Sequence, residues 1–172
     1  MAFEFILETG EIVPGANSYA SVEEADDYLA ANIHADESWS ALPEESKQKL
    51  LVWSTRYIDQ RARWNGKPVS ATQPLRHPRH GLKNADGIEI PWNIIAPQLK
   101  AATIEMARYL VDTDRSADRP QDGLKSLKVD VIELEFREGY SLPSVPQEIN
   151  NMLAGLGSLI SGPGGHAKIR RA

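Results

Sequence analysis

Residues 51–82 read LVWSTRYIDQRARWNGKPVSATQPLRHPRHGL, and this stretch decides the predicted fold. Its first half carries apolar or small residues at spacings of three and four, as one face of an amphipathic helix does. Trp64 closes that face, and the Asn65-Gly66 pair suits a helix C-terminus because glycine tolerates a positive φ. The stretch therefore predicts a helix that opens near Pro43 and ends at Trp64.

The second half of the stretch, residues 65–82, is a basic loop, which three prolines keep from forming a continuous helix or strand. Every charged residue from position 61 to position 83 is positive, although the 172-residue chain has a net charge of −5. We expect these cations to face DNA or a neighbouring subunit. The cations assigned to this role are Arg61, Arg63, Arg76, Arg79 and Lys83.

Two interpretations of the basic loop remain open. Its arginines could pair with acidic helix faces of the same fold or of a neighbouring subunit, or they could contact nucleic-acid phosphates. The first is favoured, since no Phe, Tyr or Trp that could stack on a base lies between Asn65 and Pro91. Trp64 and Trp92 flank the loop, and both are expected to anchor in the core.

Three further segments have the apolar spacing of helices. Residues 22–33 begin with a Ser-x-x-Glu capping box, residues 97–112 carry a regular apolar stripe, and residues 146–160 form a third seam. Residues 125–136 alternate as a strand does, but the parity changes after Val131, which predicts a bulge or a sharp bend. The predicted fold is therefore mainly α: a bundle of three to four amphipathic helices with a small strand or hairpin and an extended C-terminal tail.

The chain is long enough for one domain, residues 1–160, followed by a flexible basic arm, residues 161–172. It has no cysteine, no apolar run of the roughly 18 residues that a membrane span needs, and no recognisable triad, phosphate-binding loop or dinucleotide turn. His77 and His80 form the one clustered histidine pair, and no third metal ligand lies near them in sequence. The sequence therefore predicts no enzyme, no catalytic residues, no cofactor, no metal site and no membrane partner.

Five motifs occur in an order that is typical of one known family. They are NSYASVEEADDY at 17–28, TRYIDQRARWNGK at 55–67, TQPLRHPR at 72–79, IPWNIIAPQLKAA at 90–102 and KVDVIELEF at 128–136. Together they resemble the head–tail connector (adaptor) proteins of tailed bacteriophages, some of which are labelled DnaT-like single-stranded DNA-binding proteins. The chain departs from that pattern at His77, where members often have tryptophan, and at Asp130-Val131, where many have Gly-Pro.

The resemblance implies a structural protein of the virion, assembled in the host cytoplasm. Such a connector would form a dodecameric ring beneath the portal, extend the DNA channel and dock the tail. Its partners would be the portal protein, tail or neck proteins, and DNA that passes through the channel without sequence-specific contacts. The alternative function is that of a single-stranded DNA-binding replication accessory protein.

Two segments would serve the assembly of such a ring. The strand residues Val131, Leu134 and Phe136 are expected to pair across a subunit interface, because an unpaired strand edge can accept a strand from a neighbour. The C-terminal arm contains no acidic residue, and we expect it to dock on the portal. The arm residues assigned to that contact are Lys168, Ile169, Arg170 and Arg171.

Overall fold

The computed structural model describes residues 3–33, 36–111, 126–129, 132–135 and 145–160. Within these ranges there are five helices and eight short strands, and the strands form four two-stranded antiparallel sheets. The helices are α1 (Val22–Ala30), α2 (Asp36–Ser40), α3 (Glu44–Arg61), α4 (Pro97–Val111) and α5 (Gln147–Met152). The strand pairs are β1 (Ala62–Trp64) with β8 (Gly157–Leu159), β2 (Lys67–Pro68) with β3 (Arg79–His80), β4 (Leu82–Lys83) with β5 (Glu89–Ile90), and β6 (Ser126–Val129) with β7 (Ile132–Glu135). None of the described helices is both long enough and apolar enough to cross a membrane.

The fold is therefore mixed α/β, and the prediction of a mainly α helical bundle is wrong. The error arises at the ends of two predicted helices, where three-residue segments form strands, since segments this short do not distinguish a helix from a strand. β1 and β8 are these two segments. They pair with each other, with Ala62 opposite Leu159 and Trp64 opposite Gly157.

Helix α3 ends at Arg61, three residues before its predicted end. The backbone beyond it finds partners near the C-terminus: the Arg61 carbonyl accepts the Ile160 N–H at 2.7 Å, and the Asn65 N–H donates to the Leu156 carbonyl at 2.9 Å. Gly66 has the expected positive φ, 66°, but it turns the chain from β1 into β2 and does not cap the helix.

The last predicted helix is also shorter than expected, because α5 ends at Met152. Gly155 has a φ of 85° in the turn that follows, and β8 then runs back along β1. Leu153 and Leu156 are buried, as the predicted seam requires, whereas Ile160 is exposed. The apolar spacing therefore identified Leu153 and Leu156 correctly as buried, but it was wrong for Ile160, and the predicted helix was wrong beyond Met152.

The main core lies between α3, α4 and α5. Helix α4 confirms its prediction, with a buried stripe that includes Leu99, Met106 and Leu110. A second cluster joins α1 and α2 to α3 and α4 around Trp39, which is buried. Both clusters hold α3 in place from its buried side, so its opposite face is left exposed.

The N-terminal segment is held by two carboxylates. The capping box predicted for α1 is confirmed, with the Glu24 N–H donating to the Ser21 hydroxyl at 3.1 Å and the Glu24 carboxylate accepting the Ser21 N–H at 2.9 Å. Upstream, the buried carboxylate of Glu8 accepts three backbone N–H groups within residues 10–13. These local bonds place Tyr19, just before α1, against α3.

The segment predicted as a bent strand or a hairpin is an antiparallel pair, β6 with β7. Its register sets Leu127 opposite Leu134 and Val129 opposite Ile132, so the change of parity marks the passage from one strand to the next. The inter-subunit role of Leu134 stays a prediction. The other residues assigned to assembly lie outside the described residues: Val131, Phe136, Lys168, Ile169, Arg170 and Arg171.

Candidate functional site

A groove of about 460 Å³ lies between the exposed face of α3 and the basic loop. Arg56 and Gln60 line it from the helix, and Arg76 and Arg79 line it from the loop. Arg56 and Arg76 are exposed, and no ion pair within the described part of the chain engages either one. Cations from two separate elements therefore face the same open space.

Arg79 shapes the basic loop from within. Its guanidinium donates to the carbonyl oxygens of Asn65 at 2.7 Å, Gly66 at 3.1 Å and Arg76 at 3.1 Å. Burial lowers the pKa of Arg79, although an arginine keeps its charge at neutral pH. The side chain thus ties the turn after β1 to the far end of the loop, and most of its donors are already used.

Asp59 anchors the loop from the helix side. Its carboxylate accepts the hydroxyl of Tyr19 at 2.9 Å and the backbone N–H of Arg76 at 3.2 Å. Burial raises the pKa of Asp59 to about 6, against the opposing effects of these two donors and of the nearby arginines. The groove therefore contains a carboxyl group that exchanges its proton near pH 6.

His77 belongs to the core of the loop and not to its surface, since its side chain is buried. Its ring meets Trp64 edge-on with centroids 4.4 Å apart and Tyr19 with centroids 5.8 Å apart, and the bond to Pro78 is cis. Burial, with a smaller effect of the Arg79 charge, lowers the pKa of His77 to about 3. The ring is therefore neutral at physiological pH and adds no charge to the groove.

The histidine pair at 77 and 80 is split between two environments, because His80 is exposed. Among the residues that the structure describes, no group of three histidine, aspartate or glutamate side chains comes together as a metal site requires. The absence of a metal, a cofactor and catalytic residues stays a prediction, as does the absence of enzyme activity.

Trp53 is an exposed aromatic side chain next to Arg56 that the sequence did not predict. It does not line the groove itself but a separate pocket between α3 and α4. Its side chain is 38% exposed on α3, and the guanidinium carbon of Arg56 lies 5.6 Å from the centre of its ring. The expectation that no aromatic side chain could stack on a base concerned the basic loop alone. Helical periodicity could have found Trp53, since positions 53, 56 and 60 share the face opposite the buried Leu51 and Ile58.

Trp92 is the second aromatic side chain that differs from expectation. Trp64 packs against the main core, as predicted, but the prediction that Trp92 anchors in the core is wrong, because 47% of it is exposed. Its ring lies beside that of His80, with centroids 5.3 Å apart and planes tilted by 42°. An exposed aromatic side chain therefore lies next to the basic loop.

The remaining predicted cations lie outside the groove lining. The guanidinium of Arg61 covers the ring of Tyr57 at 3.7 Å, Arg63 is exposed on β1, and Lys83 lies opposite Glu89 in the β4–β5 pair. The ion pairs among the described side chains join other residues: Lys47–Asp26, Lys49–Glu45, Lys100–Glu24 and Arg108–Glu105. No ion pair in the described part of the fold joins a loop arginine to an acidic helix face, although the charges of Arg76 and Arg79 lower the pKa of Asp59 on α3.

Residues 3–172 match the family described as "Putative DnaT-like ssDNA binding protein". The chain belongs to this family. No curated protein and no solved structure shows significant similarity to it. The match covers nearly the whole chain, including α3, the basic loop and Trp92, so all parts of the groove lie inside the DnaT-like region.

Membership of the DnaT-like family corrects the functional expectation. The head–tail connector identity, with its portal, tail and neck partners, its dodecameric ring and its place in the virion, has no support from the match, whose description concerns single-stranded DNA. DNA as a partner fits the family, and the alternative function agrees with the match better than the connector does.

Proposed function

We propose that the protein binds single-stranded DNA along the groove between α3 and the basic loop. One observation carries this proposal: two exposed arginines from different elements, Arg56 and Arg76, line the same groove, and the guanidinium carbon of Arg56 lies 5.6 Å from the centre of the exposed Trp53 ring. Cations that track a backbone next to an aromatic ring are the usual means of binding a single strand without sequence preference. The family description supports the same ligand.

Phosphate contact is assigned to Arg56 and Arg76. Both guanidinium groups are exposed, and their donors can reach phosphate oxygens in bidentate fashion. Because each contacted phosphate releases bound counterions, the logarithm of the affinity should fall with the logarithm of the salt concentration by about 0.7 per phosphate. A net acidic chain still binds through such a local cluster, since charges beyond about 10 Å are screened at ordinary ionic strength.

Base stacking is assigned to Trp53. Its ring already lies near the Arg56 guanidinium, so a base that stacks on the indole would place its phosphate close to that cation. Stacking of a base on an aromatic side chain contributes about 1–3 kcal/mol and accepts any base. The groove should therefore prefer single strands, whose bases are free to stack, over duplexes.

Arg79 and Asp59 are assigned a positioning role. Arg79 closes the loop through three carbonyl groups, and Asp59 fixes the backbone of Arg76. The side chain of Arg76 is thereby presented on a loop that does not need to be ordered by the ligand. A preorganised loop raises affinity because less conformational entropy is lost on binding.

Fluorescence anisotropy with a labelled oligothymidine tests the proposal. Arg56→Ala and Arg76→Ala should each weaken binding and reduce the slope of log affinity against log salt concentration by the share of about one phosphate contact. Trp53→Ala should weaken binding without changing that slope. Arg63→Ala is the matched control, since Arg63 is an exposed arginine outside the groove lining. A loss of oligothymidine affinity in Arg63→Ala equal to that in the groove variants would contradict the proposal. So would a wild-type affinity for a duplex of the same length equal to that for the single strand.

A further inference from the structure

The β2–β3 pair separates the groove from a second surface. Its register sets Pro68 opposite Arg79, and both of these residues line the groove. Side chains alternate between the two faces of a strand, and residues directly opposite each other share a face. The other pair in the register, Lys67 opposite His80, therefore lies on the face that points away from the groove.

An aromatic side chain occupies that outer face beside His80. The ring of Trp92 lies 5.3 Å from the His80 ring, and nearly half of the tryptophan surface is exposed. Lys67 and His80 are exposed as well. The outer face thus combines the imidazole and the lysine of one short ladder with an accessible indole that lies against the imidazole.

We propose that the outer face is a second contact for the same single strand, in which a base stacks on Trp92 and Lys67 binds a neighbouring phosphate. This inference rests on the proposed function of the groove. The two surfaces lie on opposite sides of a ladder only two residues long, so a strand that leaves the groove can continue across its edge. Together they would give a longer binding site than the groove alone provides.

Charge and continuity favour a nucleic acid over a protein on this surface. Exposed Ile88 and Ile94 lie near Trp92 in sequence and would suit a protein partner. The aromatic pair, however, lies next to a lysine, and the residues adjacent to His80 and Lys67 in sequence already line the groove. A cation beside a stacking ring matches the alternation of phosphate and base along a single strand.

Oligothymidines of two lengths test the inference. A strand of about 4 nucleotides should occupy the groove alone, whereas one of about 16 nucleotides should reach the outer face. Trp92→Ala should weaken binding of the long strand by about 5- to 150-fold and leave binding of the short strand unaffected. Lys67→Ala should reduce the salt dependence of long-strand binding only. Trp92→Phe should restore most of the affinity, because it keeps a ring that can stack.

Two controls make the result decisive. Ile88→Ala removes an exposed apolar side chain close to Trp92 in sequence and should change the affinity for neither oligothymidine. Trp53→Ala should weaken the binding of both. Unchanged binding of the long strand by Trp92→Ala, with circular dichroism like that of the wild type, would overturn the inference. If Arg56→Ala and Arg76→Ala still lose oligothymidine affinity in that case, the proposal for the groove stands although the inference for the outer face fails. A Trp92→Ala variant that alters self-association but not DNA binding would also overturn the inference, in favour of a protein partner.

Discussion

The hydroxyl of Tyr19 lies 2.9 Å from both carboxylate oxygens of Asp59, a residue 40 positions away in the chain. The same hydroxyl accepts the backbone N–H of His77 at 3.1 Å, and Asp59 accepts that of Arg76. One buried phenol thus connects the N-terminal segment, α3 and the basic loop. The position of Arg76 in the groove depends on this connection.

Tyr19→Phe should destabilise the protein and loosen the basic loop. The change removes the donor to Asp59 and leaves the N–H of His77 without its acceptor in a buried site, which costs about 1–3 kcal/mol. Urea unfolding would measure the loss, and oligothymidine binding should weaken in parallel. Tyr109→Phe is the matched control, because the Tyr109 hydroxyl bonds to Glu148 in an exposed position. Equal losses of stability in the two variants would show that the Tyr19 hydroxyl has no special role.

Asp59 and His77 should make opposing contributions to the pH dependence of stability. The pKa of Asp59 is raised to about 6, so the folded state binds this proton more tightly than the unfolded state and gains stability as the pH falls from about 6 to 4. The pKa of His77 is lowered to about 3, so the unfolded state binds that proton more tightly and stability is lost as the pH falls below about 6.5. Between about pH 4 and pH 6 the two effects largely cancel.

Single variants at these two positions should separate the effects. The free energy of unfolding of Asp59→Asn, relative to wild type, should decrease by about 2–3 kcal/mol from pH 7 to pH 4, because only the wild type gains the stabilising proton. The relative stability of His77→Phe should instead increase over the same interval, since phenylalanine has no proton to gain on unfolding. Chemical denaturation at several pH values measures both. If the stabilities of the two variants relative to wild type changed with pH in the same direction, the opposing roles of Asp59 and His77 would be contradicted.

Gly66→Ala should disrupt the β2–β3 pair. A methyl group at this position would lie 2.2 Å from the His80 carbonyl oxygen, so the ladder would have to open, in addition to the strain of a positive φ. Gly81→Ala carries similar φ strain, but nothing lies within 4 Å of its added methyl group, and it should cost only about 1 kcal/mol. Thermal unfolding of the pair should show a larger loss for Gly66→Ala, by about 1–3 kcal/mol. If Gly66→Ala lost no more stability than Gly81→Ala, the backbone around the His80 carbonyl group would accommodate the methyl group easily.

Arg79→Lys distinguishes a positioning residue from a phosphate ligand. Lysine keeps the charge but cannot bridge the carbonyl groups of Asn65, Gly66 and Arg76 at once. We expect a loss of stability of about 1–2 kcal/mol, faster amide exchange in the loop and weaker DNA binding with an unchanged salt dependence. Retention of wild-type stability together with normal binding would show that only the charge of Arg79 matters.

Local patterns were sufficient to predict part of this structure from the sequence. The capping box of α1 and the buried stripe of α4 depend on residues three or four positions apart, and both are confirmed. The spacing of Leu153 and Leu156 also identified them as buried, although the chain there is not helical beyond Met152. Segregation of positive charge around the basic loop was visible as well, because charge is a property of each residue by itself.

Tertiary structure alone decided where α3 ends and what the basic loop faces. Asn65 bonds to the carbonyl of Gly155, 90 positions away, and β1 pairs with β8, so the segment after Arg61 is extended for reasons that lie at the other end of the chain. Backbone groups must find partners, and a distant strand can supply them better than one more helical turn. The groove arises in the same way. Arg56 and Arg76 line one groove because the hydrogen bonds of Tyr19 and Asp59 hold the loop against α3.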